Sequence, residues 1–133
     1  MYDQGIDIVY TVSGGSGLGV FAAAESRGLY AIGSDANQNH VKPDQIVFST
    51  VRNLDSVVFE TIKAAQAGQF EGGWHQLGVK ENAVGIAFEG SNVAVDPAYV
   101  KAMDDFRAQI ISGAVVIPSA IEDVDAFVAA LPR

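Results

Sequence analysis

The sequence predicts an α/β fold, a mostly parallel sheet with helices on both faces. Three observations carry this expectation. An apolar run at residues 6–12 ends in Ser13-Gly14-Gly15-Ser16-Gly17-Leu18-Gly19 and passes directly into a helical pattern. Two further short apolar runs, at 29–33 and 46–51, give a β-α-β-loop-β order, which implies parallel strands joined by crossovers. Beyond them, 53–68, 96–113 and 119–131 carry apolar residues at helical spacing between start and stop signals.

Each element follows from local chemistry. Tyr2-Asp3-Gln4-Gly5 reads as the last turn of a helix stopped by glycine. Ile6, Ile8, Val9, Tyr10 and Val12 make the first strand, and the helix of 17–27 ends at Gly28. The strand of 29–33 stops at Ser34-Asp35. Residues 36–44 are polar, contain one proline and form a loop, and 46–51 is the third strand. Asn53 is placed to cap a helix with Leu54, Val57, Val58, Ile62 and Ala65 on one side and Gly68 at its end. Residues 72–77 are a candidate strand weakened by Gly72-Gly73. Lys80-Glu81-Asn82 is a turn, 84–88 a strand and 89–95 a loop. Asp96-Pro97 opens a helix with Val100, Met103, Phe106 and Ile110 in its stripe and Gly113 after it. A short extended piece at 114–117 breaks at Pro118. Ser119-Ala120-Ile121-Glu122 has the pattern of a capping box before a last helix that buries Val124, Phe127, Val128 and Leu131.

Composition bounds the function. At 133 residues, 49% hydrophobic and 18% charged, the chain suffices for one folded domain. A net charge of −8 with only scattered basic residues argues against nucleic acid or an anionic membrane as partner. The absence of cysteine excludes disulfides and thiolate chemistry. The sequence as given shows no signal peptide and no apolar run of about 20 residues, so it reads as soluble, and its abrupt start reads as a piece of something longer.

The glycine turn is the leading candidate site. A strand that ends in glycines before a helix presents backbone N–H groups to an anion or a polar ligand edge. A dinucleotide fingerprint needs G-x-G-x-x-G and an acid about 20 residues on. Gly15-x-Gly17 and Asp35 fit, but Val20 stands where the third glycine belongs. A nucleotide cofactor, a generic small ligand and a tight structural turn all remain open from this pattern. Asp35, past the end of the second strand, can accept two vicinal hydroxyls or bond its own loop. Asn37 and Gln38 can join it or face water. Phe21 can stack on a ligand ring or pack as core. Lys80 can reach a ligand hydroxyl or pair with Glu81 in water. His40 lies in the polar loop, and His75, beside Trp74, lacks partners at metal-ligand spacing, so no metal site is expected. No nucleophile–base pair, carboxylate pair or G-x-S-x-G elbow is present, which gives no reason to propose an enzyme or a cofactor.

Taken together, Tyr2–Tyr10, Ser13–Phe21, Tyr30–Asp35, Gly78–Gly85, Ile110–Gly113 and Val116-Ile117-Pro118 resemble the basic membrane protein (BMP) family in order and spacing. Those are substrate-binding lipoproteins of type I periplasmic-binding-protein fold that deliver purine nucleosides to ABC transporters. The resemblance implies that Asp35 and Lys80 bind ribose hydroxyls, that Phe21 is one of two aromatic plates around the base, and that Gly14, Gly15, Ser16 and Gly17 line the cleft. Position 37 is Asn where the family often has Asp, which removes a charge from any contact there.

The same resemblance implies one lobe of a two-lobe protein, the C-terminal half, with 53–82 as a crossover segment belonging to the missing lobe. The implied partners are a purine nucleoside or similar ribose-bearing molecule, the N-terminal lobe and the ABC permease, at the periplasmic or extracellular face of the membrane. Separated from that lobe, Val57, Val58 and Ile62 lose their partner surface, at roughly 1.5–3 kcal/mol each. The helix is therefore expected to pack back on the sheet or to find a second copy of the chain, as in a homodimer by segment exchange. The rivals are a Rossmann-like nucleotide-binding enzyme domain and a sensor module.

Overall fold

The computed structural model describes residues 1–131. Its elements are β1 (Ile8–Tyr10), α1 (Gly17–Arg27), β2 (Tyr30–Gly33), β3 (Ile46–Arg52), α2 (Leu54–Gln66), β4 (Val84–Ala87), α3 (Pro97–Ser112) and α4 (Val124–Ala130). Single 3₁₀ turns lie at Tyr2–Gln4, Gly14–Ser16, Asn39–Val41 and Ile121–Asp123. The chain divides into two compact units, Met1–Asp96 and the part from Pro97 onward.

The first unit is an α/β layer built on a four-stranded sheet in the order β1-β2-β3-β4. β1 pairs with β2 and β2 with β3 in parallel, and β4 runs antiparallel to β3. The connections from β1 to β2 and from β2 to β3 step the same way across the sheet. Right-handed crossovers then put both on one face. The core confirms it: Phe21 and Ala24 of α1 close on Ala31 of β2 and Ile46 of β3, with Val41 of the second connection packed alongside. α1 ends at Gly28, whose left-handed φ of 62° returns its N–H to the carbonyls of Ala24 and Glu25. The other face of the sheet carries Ile8, Tyr10, Tyr30 and Ile86, all exposed. There the Tyr10 and Thr50 hydroxyls meet at 2.9 Å.

No helix forms in the β2–β3 connection, and a polar plug takes its place. Asn39 and Ser49 are both fully buried. Ser49 Oγ donates to Asn39 Oδ1 at 2.8 Å and accepts the Gln38 N–H at 3.1 Å. Asn39 Nδ2 donates to the carbonyls of Ala87 and Glu89, each at 2.9 Å. Gln38 Oε1 accepts the Ser34 N–H at 3.1 Å. Buried polar groups persist when every one is paired, and these are. Gly33 makes the approach possible, since a Cβ there would collide with Ser49 Oγ. Across this stretch Ala31 to Gly33 of β2 spans Ile46 to Ser49 of β3, one extra residue in β3.

Several expectations need correction. The strand expected over 6–12 is regular only at Ile8–Tyr10, with single bonds to β2 through the Asp7 carbonyl and the Thr11 N–H on either side. Residues 72–77 form no strand; Gly72 and Gly73 leave that stretch without a regular backbone, and Trp74 is 92% exposed. Asn53 stands at the N-cap of α2 but makes no capping bond, its amide being turned to Asn82 instead. α2 does not pack back on the sheet and buries no residue. Asn53 alone separates it from β3.

In the second unit, α3 begins with Pro97 at its first position and Val100, Met103, Phe106 and Ile110 are half-buried, the stripe read from the sequence. The capping box at 119–122 does not form. Ala120 precedes a 3₁₀ turn without a side-chain cap, and α4 starts later. Nor is the last helix buried: Val124 and Val128 are exposed, while Phe127 and Leu131 are only half-covered.

Candidate functional site

The carboxyl ends of β1, β2 and β3 point the same way, and every residue singled out for ligand contact except Phe21 lies in a segment that leaves this end of the sheet. In a parallel sheet this is where a crevice opens.

The loop after β1 is tied to the sheet first. The Thr11 N–H reaches the Ile32 carbonyl at 3.2 Å, and the Thr11 and Ser13 hydroxyls meet at 2.6 Å. Gly14–Ser16 then makes one 3₁₀ turn. Gly14 takes a φ of 54°. Gly17 is buried against Thr11, where a Cβ would stand only 3.3 Å from its side chain. Gly14 and Gly15 instead have open space where a Cβ would be, so the backbone of the turn is bare. The amides are not all available to a ligand: Ser16 N–H bonds Ser13 O, and Gly17 N–H turns back to the carbonyls of Gly14 and Gly15.

Asp35 follows β2 in a left-handed conformation, φ 70°. Its carboxylate Oδ1 lies 2.8 Å from Arg52 Nη2, with both side chains about half exposed. The Arg52 N–H donates to the Asp35 carbonyl at 3.0 Å. A carboxylate held by a guanidinium on one oxygen still offers acceptor capacity to a hydroxyl. Lys80 is exposed in the turn that precedes β4. That turn is anchored to the residue after β3: Asn53 N–H donates to Ala83 O at 2.9 Å and Asn53 Nδ2 to Asn82 O at 2.8 Å. Within the turn, Glu81 Oε2 accepts the Gly78 N–H at 2.9 Å, and this bond, chiefly, holds the Glu81 carboxyl below the usual carboxylate range. The loop of Asp35 and the turn of Lys80 thus meet consecutive residues, Arg52 and Asn53, at one end of β3.

Phe21 does not join them. Its ring is fully enclosed in the core with Ala24, Ala31 and Ile46. A base plate needs an open ring face, so the stacking role implied by the family resemblance is corrected to a core role. Asn37 and Gln38 are structural as well: Asn37 Nδ2 donates to Glu89 O and its Oδ1 accepts the Asn39 N–H. His75 bonds the Glu71 carbonyl and His40 is exposed. Sequence reasoning missed Arg52, Asn39 and Ser49. A charged residue closing an apolar strand was the available signal for Arg52, whereas nothing local marks a buried Asn–Ser pair.

The architecture defines an α/β layer whose strand-end loops carry glycines and polar side chains. Residues 1–120 match the family model described as Bmp, ABC transporter substrate-binding protein PnrA-like, and the chain belongs to that family. It is 31% identical over 135 residues to Basic membrane protein B of Borreliella afzelii, covering 96% of this chain and 37% of that protein. It is 37% identical over 90 residues to Basic membrane protein D of Borreliella burgdorferi, covering 65% of this chain and 26% of that one. Among solved structures, an ABC transporter solute-binding protein from Aeropyrum pernix superposes with a TM-score of 0.69 at 26% identity, over 97% of this chain and 45% of that one. A protein titled a transcriptional activator of the comK gene from Bacillus halodurans shares the fold, with a TM-score of 0.74 at 24% identity over 83% of this chain and 38% of that one. The chain therefore spans less than half the length of each of these relatives.

Proposed function

We propose that this chain is one lobe, the C-terminal half, of a solute-binding protein that feeds an ABC transporter, and that it presents half of a purine-nucleoside-binding cleft without catalysing a reaction. The observation that carries this is the convergence of three loops at one end of the sheet: the bare backbone of Gly14–Ser16, the carboxylate of Asp35 and the turn of Lys80. A carboxylate and an ammonium suit the vicinal hydroxyls of a ribose, the first accepting their protons and the second donating to their oxygens. Family membership and the likeness to an ABC solute-binding protein support the transport role.

The remaining parts follow from the same reading. Segment 53–82 is the crossover to the absent N-terminal lobe, hinge closure buries the solute between lobes, and the permease receives it at the outer face of the membrane. No described helix is long and apolar enough to cross that membrane. A lone lobe supplies about half the contacts, so its affinity is weak. The test is an amide-resolved NMR titration of the chain with adenosine, guanosine and inosine. Millimolar-range shifts confined to 13–17, 35–36 and 78–82, lost in Asp35→Ala, are expected. Micromolar affinity measured by calorimetry overturns the half-site reading. Shifts with NAD but not with nucleosides would install the Rossmann-type alternative.

A further inference from the structure

The geometry points to Arg52 and Asn53 as the positioning residues of the ligand surface, a bracket that sets the Asp35 loop and the Lys80 turn on either side of one strand end. The inference rests on the cleft reading above. Among the described residues, Asp35 and Asn82 alone combine a positive φ with a side chain, at 70° and 56°. Such backbone persists where its surroundings over-determine it, and it concentrates at ligand-holding sites. Each of the two is held by one of two consecutive residues. Arg52 takes position 35 twice, through its own N–H on the Asp35 carbonyl at 3.0 Å and its guanidinium on the carboxylate at 2.8 Å. Asn53 takes the other loop twice, through its N–H on Ala83 O at 2.9 Å and its side-chain amide on Asn82 O at 2.8 Å.

The choice made by Asn53 is informative. It occupies the N-cap of α2, where its side chain is suited to a helix N–H, yet it bonds a carbonyl 29 residues away. Its Nδ2 donates to a distant carbonyl and holds the Lys80 turn, while its Oδ1 accepts no helix N–H. β3 ends at this dipeptide and α2 begins immediately after it. The Asp35 loop and the turn that carries Lys80 are thus held by adjacent backbone positions of one strand end. Arg52 and Asp35 are 59% and 50% exposed, so their ion pair contributes little to global stability and acts locally.

The experiment is amide hydrogen exchange by NMR on Arg52→Gln, Asn53→Ala and Asn53→Ala/Asn82→Gly, with nucleoside titration of each. Asn53→Ala is expected to speed exchange of the Ala83 amide, which bonds Gly78 O, by tenfold or more while 34–36 stay as in the parent chain. Arg52→Gln is expected to loosen 34–36 and leave 78–83 unaltered. Both keep parent-level protection at Ala24 and Ile46. Asn82→Gly recovers the Ala83 protection lost in Asn53→Ala, because glycine adopts the left-handed region without steric cost. Each single variant weakens nucleoside-induced shifts about tenfold. Even acceleration across the core, no change in a variant's own loop, or no recovery by Asn82→Gly overturns the bracket. A parent chain silent to nucleoside overturns the cleft reading instead, and the bracket loses its role with it.

Discussion

α1 and α2 make opposite use of similar material. Each is the next α-helix after a strand of the parallel set, and both carry apolar side chains at helical spacing. α1 encloses Phe21 and Ala24 completely, whereas α2 leaves Leu54, Val58, Phe59 and Ile62 more than half exposed and buries nothing. Helical propensity does not separate them. The connections do: α1 is flanked by the Gly14–Ser16 turn and Gly28, and its chain returns to a neighbouring parallel strand, which forces the helix across the sheet. α2 leaves β3 through one residue and is followed by a long irregular stretch before the antiparallel β4. A helix is buried here by what its two ends are tied to.

Substitutions that remove a large side chain from each helix break the comparison most directly. Phe21→Ala is expected to destabilise the chain by about 3–5 kcal/mol in urea unfolding, the usual cost of emptying a core aromatic. Phe59→Ala, 63% exposed in α2, should fall within about 0.5 kcal/mol of the parent when both are measured dilute enough to be monomeric. Equal losses under those conditions would mean that α2 is covered within the monomer. The same point can be approached through association. If this exposed face self-associates, light scattering of the chain reports a dimer and Val58→Glu/Ile62→Glu a monomer, with the dimer's added stability lost in the variant. A monomeric parent would remove the self-association expected from this face.

The polar plug comes next in size. Asn39→Ala strips Ser49 Oγ of its acceptor and two carbonyls of their donor in a fully buried setting, at about 1–3 kcal/mol. Gly33→Ala is expected to cost a similar amount, roughly 1–3 kcal/mol, from overpacking against Ser49 and Gln38. Ser49→Ala in that background should recover part of the loss by clearing the collision. If the double variant is no better than Gly33→Ala, the hydrogen bonds that Asn39 and Gln38 lose with Ser49 outweigh the relief of crowding.

What the sequence disclosed follows the same division. Gly28, Gly68 and Gly113 mark helix ends because each acts on its own neighbours, and α1, α2 and α3 were legible from those stops and from apolar spacing. Asp35 and the glycine turn were legible because strand-end position is a local property. Long-range partners were not. Asn39, in a loop read as polar and solvated, becomes core because Ser49 and the end of β4 supply its hydrogen bonds. Asn53 looked like a cap because its partner, Asn82, lies on a distant turn. Phe21 could be assigned to ligand or core only once Ala31 and Ile46 were known to face it. The Ser119 pattern has the right residues for a capping box, but the backbone there starts its helix later.

The smallest expected effect belongs to the Lys80 turn. The Gly78 N–H on Glu81 Oε2 favours the charged carboxylate and so lowers its pKa in the folded chain. The sign follows from linkage: with the folded value below the unfolded one, the turn gains support above the unfolded pKa and loses it as pH falls through the folded one. The Gly78 amide resonance should therefore titrate with a midpoint below that of an unstructured glutamate, while the signals of Ala24 and Ile46 stay constant across the same range. Glu81→Gln should flatten that titration and leave the thermal midpoint within a degree or two, because the carboxylate is fully open to solvent. A Gly78 midpoint at the ordinary glutamate value would mean that the bond is not held in solution, and that Asn53 and the turn's own backbone bonds order the loop carrying Lys80.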